Sequence, residues 1–425
     1  MARILVATIP VAGHVGPFVP VVRMLKAAGH QVTWYTGKKF AKAPQSAEVE
    51  HAPYQKAIEF DDANFDATFA GRESLKGLDQ LRFDMKHIFI DSAPGQLADL
   101  RELAAKVQPD LVLCDPGMIG AILLSEETKV PCGVLGILPL IVSSSDAAPF
   151  GLGLPPASGF MGRLRNGLLN FLVQRVLFGA VQKHWLQMRT RVGMAATGWW
   201  MDAAFERIAF WIQPTVPSFE YPRRDLPSTV HFTGLVPSEA PAGLEDPPFW
   251  SELDGSKPIV HVTQGTLANL EPRLFRPAIE ALANEDVLVV ISTGRRSPSE
   301  LGLDELPANA RVATFLDYGR LLPKLSAMVT NGGYGGVQAA LRHGVPLVVA
   351  GMSEDKPEVA ARVAWSGAGI NLRTETPRAE AVRDAVRRVL REESFRQNAQ
   401  RLAREYESYD ALALIRAKID AAIGA

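Results

Sequence analysis

The stretch RILVATIPVAGHVGPFVPVVRMLKAAGHQVTWYT, residues 3–36, decides the fold. Its first residues, Arg3–Ile9, have the apolar run of a buried strand, and the loop Pro10–Gly16 separates them from a helical pattern over Phe18–Ala28. A glycine then ends the helix, and Gln31–Tyr35 repeats the strand pattern. Strand, helix and strand in so short a chain form a βαβ unit, which predicts a parallel sheet.

The same alternation recurs on both sides of a proline-rich stretch. In the first half it predicts helices over Ala98–Val107 and Ile119–Glu127, and strands over Leu111–Asp115 and Cys132–Leu135. In the second half it predicts helices over Phe275–Ala283, Leu321–Leu325 and Val337–His343, and strands over Ile259–Thr263, Val287–Ser292, Val312–Phe315, Ala327–Thr330 and Pro346–Ala350. The predicted fold class is α/β, with two Rossmann-like domains in tandem that face a cleft.

Prolines recur between residues 214 and 258, where hydrophobic periodicity is weak, and this composition is typical of a linker. We therefore predict a first Rossmann-like domain over residues 1–215, a linker over 216–256 and a second domain over 257–400. One long, charged helix is expected from Arg391 to Ile423, and residues 401–425 are expected to return to the first domain.

The composition excludes several classes of function. Hydrophobic residues make up 47% of the chain and charged residues 21%, with a net charge of -1 and no Lys/Arg run, so nucleic acid is not an expected partner. Cys114 and Cys132 lie in predicted strands, as reduced core thiols do. The most apolar segment, Gly167–Val181, is interrupted by polar residues, so a membrane is an unlikely partner and we expect a cytoplasmic protein.

Two glycine loops follow strands of the second predicted domain. The loop TNGGYGG, Thr330–Gly336, stands between a strand and a helix, where glycines allow close backbone approach and free helix amides favour a phosphate. The loop TQGT, Thr263–Thr266, follows another strand of the same sheet. A structural turn explains either loop alone, but together they indicate a diphosphate held between two strand ends.

A histidine and an aspartate end two strands of the first predicted domain. His14 lies in the loop after the first strand, and Asp115 ends the strand that begins at Leu111. Parallel strands end at one edge of a sheet, so the two side chains can meet, and a His–Asp pair is a common general base. The alternative is that each merely caps a turn or a helix.

These residues resemble the inverting, nucleotide-sugar-dependent GT-B glycosyltransferases, which include plant and macrolide glycosyltransferases and form glycosyltransferase family 1. The resemblance covers nearly the whole chain and is clearest over Pro307–Asn371. Within that region the family's order and spacing are kept at Val312–Leu316, Leu321–Pro323, Thr330–Gly336, Gly344–Pro346 and Asp355–Pro357.

The resemblance implies transfer of a hexose from a UDP- or dTDP-sugar, with UDP-glucose as the default donor, to a hydroxyl of a small apolar acceptor. His14 would act as the general base with Asp115 as its support, and neither metal nor cofactor would be needed. Phe315 would stack on the base, the Leu316 backbone would bind its edge and Asp355 the sugar. The complete implied donor set is Gly265, Thr266, Phe315, Leu316, Asn331, Gly332, Gly333, Gly335, Gly336, Asp355 and Lys356.

Three positions depart from the family pattern. Asn331 stands where a histidine is usual, so a phosphate contact would come from a neutral amide. Ala339, with Gln338 beside it, replaces the glutamate that binds ribose, which opens the site to a dTDP-sugar. Lys356 replaces the glutamine of the pair that holds the sugar.

The acceptor pocket is expected in variable loops of the first domain. Apolar side chains near turns would suit a polyketide, a flavonoid, a terpenoid or a lipid-like alcohol, although a plain core has the same composition. The candidate residues are Phe60, Phe65, Phe83, Phe89 and Leu138.

Other functions remain open. A dehydrogenase is disfavoured because Gly13 and Gly16 lack a third glycine at the required offset, and no acidic residue ends the second strand. A nucleotide-sugar epimerase fits the architecture but needs no roomy acceptor site. A catalytically silent auxiliary protein of the same fold is a further alternative, motivated by the three departures.

Overall fold

The computed structural model describes residues 1–157, 159–238, 243–265, 272–294 and 296–424. They form two α/β domains, each built on a wholly parallel sheet, which confirms the predicted fold class. The strands of the first sheet are β1 Arg3–Ala7, β2 Gln31–Thr36, β3 Glu50–Pro53, β4 Leu111–Cys114, β5 Cys132–Leu135, β6 Phe210–Gln213 and β7 Val230–Phe232. Those of the second are β8 Ile259–Thr263, β9 Leu288–Ser292, β10 Ala310–Ala313, β11 Ala327–Thr330, β12 Leu347–Val349 and β13 Gly369–Asn371.

Helices cover both faces of each sheet. In the first half they are α1 Ala12–Val15, α2 Phe18–Ala27, α3 Lys42–Ser46, α4 Gly77–Phe83, α5 Ala93–Val107, α6 Ile119–Thr128, α7 Gly159–Phe171 and α8 Gly179–Arg191. In the second half they are α9 Phe275–Leu282, α10 Tyr318–Leu321, α11 Tyr334–Arg342, α12 Lys356–Trp365, α13 Ala379–Arg391, α14 Glu393–Glu407 and α15 Ala411–Ile423. Two π-helical segments, Asp84–Ile90 and Leu172–Leu177, extend α4 and α7. Among the described residues, no helix is long and apolar enough to span a bilayer.

Both sheets reverse their strand order near the middle. The first has the order β3-β2-β1-β4-β5-β6-β7, and the second has the order β10-β9-β8-β11-β12-β13. After β1 the chain crosses to one side of the first sheet, and after β4 it crosses to the other. The same happens after β8 and β11 in the second sheet, so a crevice opens beyond the carboxyl ends of each of these two strand pairs. These two crevices position the site described below.

Each sheet is buried on both faces, as parallel sheets usually are. Leu5 and Ala7 of β1 pack in one core with Val112 of β4, whereas Ile4 and Val6 pack in another on the opposite face. The second sheet is likewise enclosed between two cores. Alternating burial of this kind fixes the register, because a shift by one residue would exchange the two faces.

The structure differs from the predicted elements at the domain boundary, in the C-terminal helix and at β10, which spans Ala310–Ala313 and not the predicted Val312–Phe315. Strand β7 pairs with β6 inside the predicted linker, so the first sheet extends beyond residue 215. The single helix predicted over Arg391–Ile423 is wrong, since it breaks between α14 and α15, where the Asp410 side chain accepts a hydrogen bond from the Ala413 amide. The break turns α15 onto the first sheet, where Ile415 and Ile419 are buried.

A buried ion cluster joins the two domains. The Arg362 guanidinium of α12 donates to Glu220 at 2.9 and 3.0 Å and to Glu358 at 2.7 Å. The second oxygen of Glu358 accepts hydrogen bonds from the amides of Gly151 and Gly153 in the first domain. Helix α12 is thereby held to both the chain between the domains and the loop that precedes α7.

A second group of buried hydrogen bonds lies between β6 and the helices of the second domain. Gln213 donates to the Tyr334 hydroxyl at 2.8 Å. Thr215 donates to the Gln338 side chain at 2.9 Å and lies 3.1 Å from the Tyr406 hydroxyl. Directional contacts of this kind fix the relative orientation of the two sheets.

Replacement of Arg362 by methionine should strongly destabilise the protein. The change leaves two buried carboxylates without their cation, and breaking a buried ion pair typically costs about 3–5 kcal/mol. The midpoint of urea unfolding should fall accordingly. Arg388→Met is the matched control, because the pair of Arg388 with Glu392 is exposed, and its midpoint should not change measurably. Equal midpoints for the two variants would contradict a structural role for the cluster.

Candidate functional site

His14 and Asp115 meet in the crevice between β1 and β4. His14 belongs to the short helix α1 that follows β1, and its Nδ1 lies 2.6 Å from Oδ1 of Asp115. A carboxylate oxygen only accepts, so Nδ1 carries the hydrogen and Nε2 keeps its lone pair. Nε2 makes no hydrogen bond to any described residue. The His14–Asp115 pair therefore presents Nε2 as a basic nitrogen with no hydrogen bond to another described residue.

Asp115 is fully buried and fixed by main-chain donors. Its Oδ2 accepts from the Ile9 amide at 2.8 Å, and its Oδ1 accepts from the Gly117 amide at 2.7 Å. The turn is tight, since a Cβ on Gly117 would lie 2.8 Å from Cδ1 of Ile9 and 3.2 Å from the Phe89 ring. Such anchoring holds the carboxylate in place to orient the histidine.

The two glycine loops end β8 and β11 side by side in the second crevice. Gly332 has φ +88°, and a Cβ there would lie 2.7 Å from Val349, so the turn requires glycine. The amides of residues 333–336 form the N-terminus of α11 and make no hydrogen bond to a described residue. They are free to bind an anion. Gly265, with φ +73°, ends β8 beside Asn331, whereas Thr266 lies outside the described residues.

Asn331 ties the two glycine loops together. Its Nδ2 donates to the Gln264 carbonyl at 2.5 Å, whereas its buried Oδ1 has no partner among the described residues. One of the two Nδ2 hydrogens is thus engaged in the loop contact. In this orientation Asn331 positions the loops.

Gln338 does not occupy the ribose position. Its side chain is completely buried and accepts a hydrogen bond from Thr215 between the domains. Ala339, the next residue of the helix, is half-buried and has no polar side-chain group. Neither Gln338 nor Ala339 therefore supplies the carboxylate that the family resemblance implies for ribose.

Phe315 and Leu316 follow the end of β10. The strand ends at Ala313, so these residues lie in the loop beyond it, where the Phe315 ring is 38% exposed. The main-chain N–H and C=O of Leu316 have no hydrogen-bond partner in the part of the chain that is described. An exposed ring beside an open main-chain donor and acceptor can hold a flat heterocycle by its face and edge.

Asp355 and Lys356 stand at the start of α12. Burial raises the pKa of the Asp355 carboxyl to about 6, although the charges of Lys356 and His14 lower it. The Lys356 chain is buried beside Gly332, and its ammonium group pairs with Glu354.

Four of the five acceptor candidates form one aromatic cluster. Phe60 lies 5.5 Å from Phe65 between ring centroids, and Phe83 and Phe89 pack with them. Val11, which immediately precedes the helix of His14, also packs against this cluster. Leu138 is not grouped with them, and its carbonyl accepts from Gln213 instead.

Sequence reasoning missed the residues that connect the two crevices. Glu358 and Arg362 are spaced i, i+4, a pattern typical of an exposed helical pair, yet both are buried. Gly151 and Gly153 lie in the loop before α7, and both have positive φ. These two glycines were the signal in the sequence that could have pointed to this contact between the domains. The described residues contain no group of three or more His, Cys, Asp or Glu able to hold a metal ion.

Comparisons with known proteins give the family. Residues 276–415 match the family model described as "Erythromycin biosynthesis protein CIII-like, C-terminal domain". The chain is 45% identical to 4'-demethylrebeccamycin synthase of Lentzea aerocolonigenes, over 97% of each protein. It is 35% identical to UDP-glycosyltransferase 2 of Phaeomoniella chlamydospora, over 98% of this chain and 95% of that protein.

Solved structures give the fold. The crystal structure of CalG4, the calicheamicin glycosyltransferase, aligns with a TM-score of 0.77 at 23% identity, over 100% of this chain and 98% of that one. The resemblance noted in the sequence is thereby confirmed, and the chain belongs to glycosyltransferase family 1, with the GT-B fold.

Proposed function

We propose that the protein transfers a hexose, with inversion, from a UDP- or dTDP-sugar to a hydroxyl of a small apolar acceptor. One observation carries the proposal: the His14–Asp115 pair ends strands of one sheet, and the helix that begins after Asp355 is held against the first domain by the Glu358 contacts with Gly151 and Gly153. A base on one side of a cleft and an anion site on the other is the arrangement that a displacement reaction needs.

His14 acts as the general base. Its Nε2 takes the proton of the acceptor hydroxyl while that oxygen forms a bond to the anomeric carbon and the bond to the diphosphate breaks. Asp115 holds the ring and stabilises the imidazolium that results. The incoming oxygen and the departing diphosphate lie on opposite sides of the carbon, so a single displacement inverts its configuration.

The second crevice binds the departing diphosphate. The amides of residues 333–336 and the positive end of α11 stabilise its growing negative charge. Lys356, whose ammonium group is paired with Glu354, lies against the same loop, and we assign it to the donor site. Asn331 contributes by fixing the Gln264 loop, and we assign Gly265 to the same donor site. Thr266, which we also assign to the donor, lies outside the described residues.

The nucleoside is held beyond β10. The base stacks on Phe315, and the Leu316 main chain binds its edge. Ala339 leaves the ribose without a carboxylate, so the site tolerates deoxyribose as well as ribose. A relative named UDP-glycosyltransferase supports UDP as the default nucleotide.

The acceptor is bound by the first domain. We assign residues 1–215 to acceptor binding, 216–256 to the linker, 257–400 to the donor and 401–425 to the return of the chain to the first domain. The aromatic cluster around Phe60 adjoins the helix of His14 and suits an apolar ring system. A relative named 4'-demethylrebeccamycin synthase supports a natural-product acceptor.

Replacement of His14 by alanine should abolish transfer while leaving the donor site intact. Loss of a general base typically lowers the rate about 10²–10⁴-fold. Transfer from UDP-glucose to a panel of phenols and macrolides should fall by that factor, and the affinity for UDP-glucose in calorimetry should not change. His343→Ala, at the exposed end of α11, is the control and should retain full activity. A wild-type protein that binds the nucleotide but transfers nothing is instead an auxiliary protein.

Binding of UDP-glucose should weaken as the pH falls through about 6, because the Asp355 carboxylate then takes up a proton and no longer accepts from sugar hydroxyls. If only the ionised form binds well, the affinity drops about tenfold between pH 7 and pH 5. Asp355→Asn should bind less tightly at pH 7 and show no such dependence. An unchanged pH profile in this variant would remove Asp355 from the sugar site.

A further inference from the structure

An apolar stripe covers the outer side of α7 and the π-helical segment after it. Its members recur every three or four residues, so they share one side of the helix. Six of them are between 58 and 74% exposed, and Leu172 is 40% exposed. We call this set the apolar face; its residues are Phe160, Met161, Leu164, Leu168, Phe171, Leu172 and Val176.

The amide side chains of the same helix point inward. Asn166 donates to the Ser145 carbonyl at 2.9 Å, and Asn170 donates to the Ser144 carbonyl at 3.2 Å. Gln174, one turn further, donates to the Ser143 hydroxyl at 3.3 Å. Asn170 and Gln174, which interrupt this segment in the sequence, therefore leave its outer side apolar apart from Arg175, which is the reverse of an ordinary surface helix.

The chain segment that carries the apolar face has charges of one sign. Residues 147–201 contain no Asp or Glu but six Lys and Arg residues. Arg175, Lys183 and Arg191 are exposed, whereas Arg189 is buried and paired with Glu126. An apolar surface beside basic side chains complements a negatively charged bilayer.

The apolar face adjoins the aromatic cluster. The guanidinium of Arg82 donates to the Leu177 carbonyl at 2.7 Å and so joins α4 to the end of the π-helical segment. Leu78 and Leu81 of α4 are each 37% exposed, and the helix ends at Phe83 of the cluster.

We propose that the apolar face docks this protein on the surface of a bilayer with anionic headgroups. The helix lies in the plane of the interface, with its leucines and phenylalanines among the acyl chains and Arg175 and Lys183 at the headgroups. A second copy is a poorer occupant, because two-fold pairing would bring the identical basic side chains of this segment together. A bilayer-soluble acceptor would then enter beside Phe83, a consequence that rests on the proposed function.

Vesicle flotation tests the docking directly. Wild-type protein should float with vesicles of phosphatidylcholine and phosphatidylglycerol in equal parts and remain at the bottom with phosphatidylcholine alone. Leu164→Glu combined with Leu168→Glu should weaken partitioning about tenfold or more, as should Arg175→Glu combined with Lys183→Glu. Leu414→Glu, at an exposed leucine of α15, is the matched control and should float like the wild type.

The substituted leucines are exposed, so the melting temperature should stay at the wild-type value and loss of flotation should report on docking. Transfer to a water-soluble phenol should also be unchanged, which separates this proposal from the proposed function. Equal flotation of wild type and both double variants would overturn the proposal. So would a dimeric wild type, in light scattering, that becomes monomeric in the leucine variant and never floats.

Discussion

The reversal of strand order in each sheet is the constraint on which the site depends. It opens one crevice beyond β1 and β4 and another beyond β8 and β11, and the reactive groups lie at these strand ends. Two crevices form one site only if the sheets face each other at a fixed distance. The buried contacts of Arg362 with Glu220 and Glu358 supply that orientation, and Glu358 extends it to the loop before α7.

Much of the fold could be predicted from the sequence because its periodicity is strong. The βαβ pattern of residues 3–36 and its repeats predict two parallel sheets, and both are present. Strand β7 could not be predicted, since three residues among prolines carry too little periodic signal. The break before α15 depends on a single capping aspartate, Asp410, and on burial of Ile419 against a distant sheet, which local pattern does not encode.

The site was partly predictable for a similar reason. Residues at the ends of strands converge in any doubly wound sheet, so His14 and Asp115 could be paired although 101 positions separate them. What the sequence does not encode is the direction of each side chain. Asn331 donates to a neighbouring loop, Gln338 points between the domains, and Asn166, Asn170 and Gln174 face inward while the apolar residues of their helix face out.

A crystal structure of the His14→Ala variant with UDP-glucose tests the central claim, that the two crevices form one transfer site. The account predicts diphosphate oxygens within about 3 Å of the amides of residues 333–336. It also predicts that the side of the anomeric carbon opposite the diphosphate faces position 14. A nucleotide bound away from the α11 N-terminus, or an anomeric carbon turned away from position 14, would contradict it.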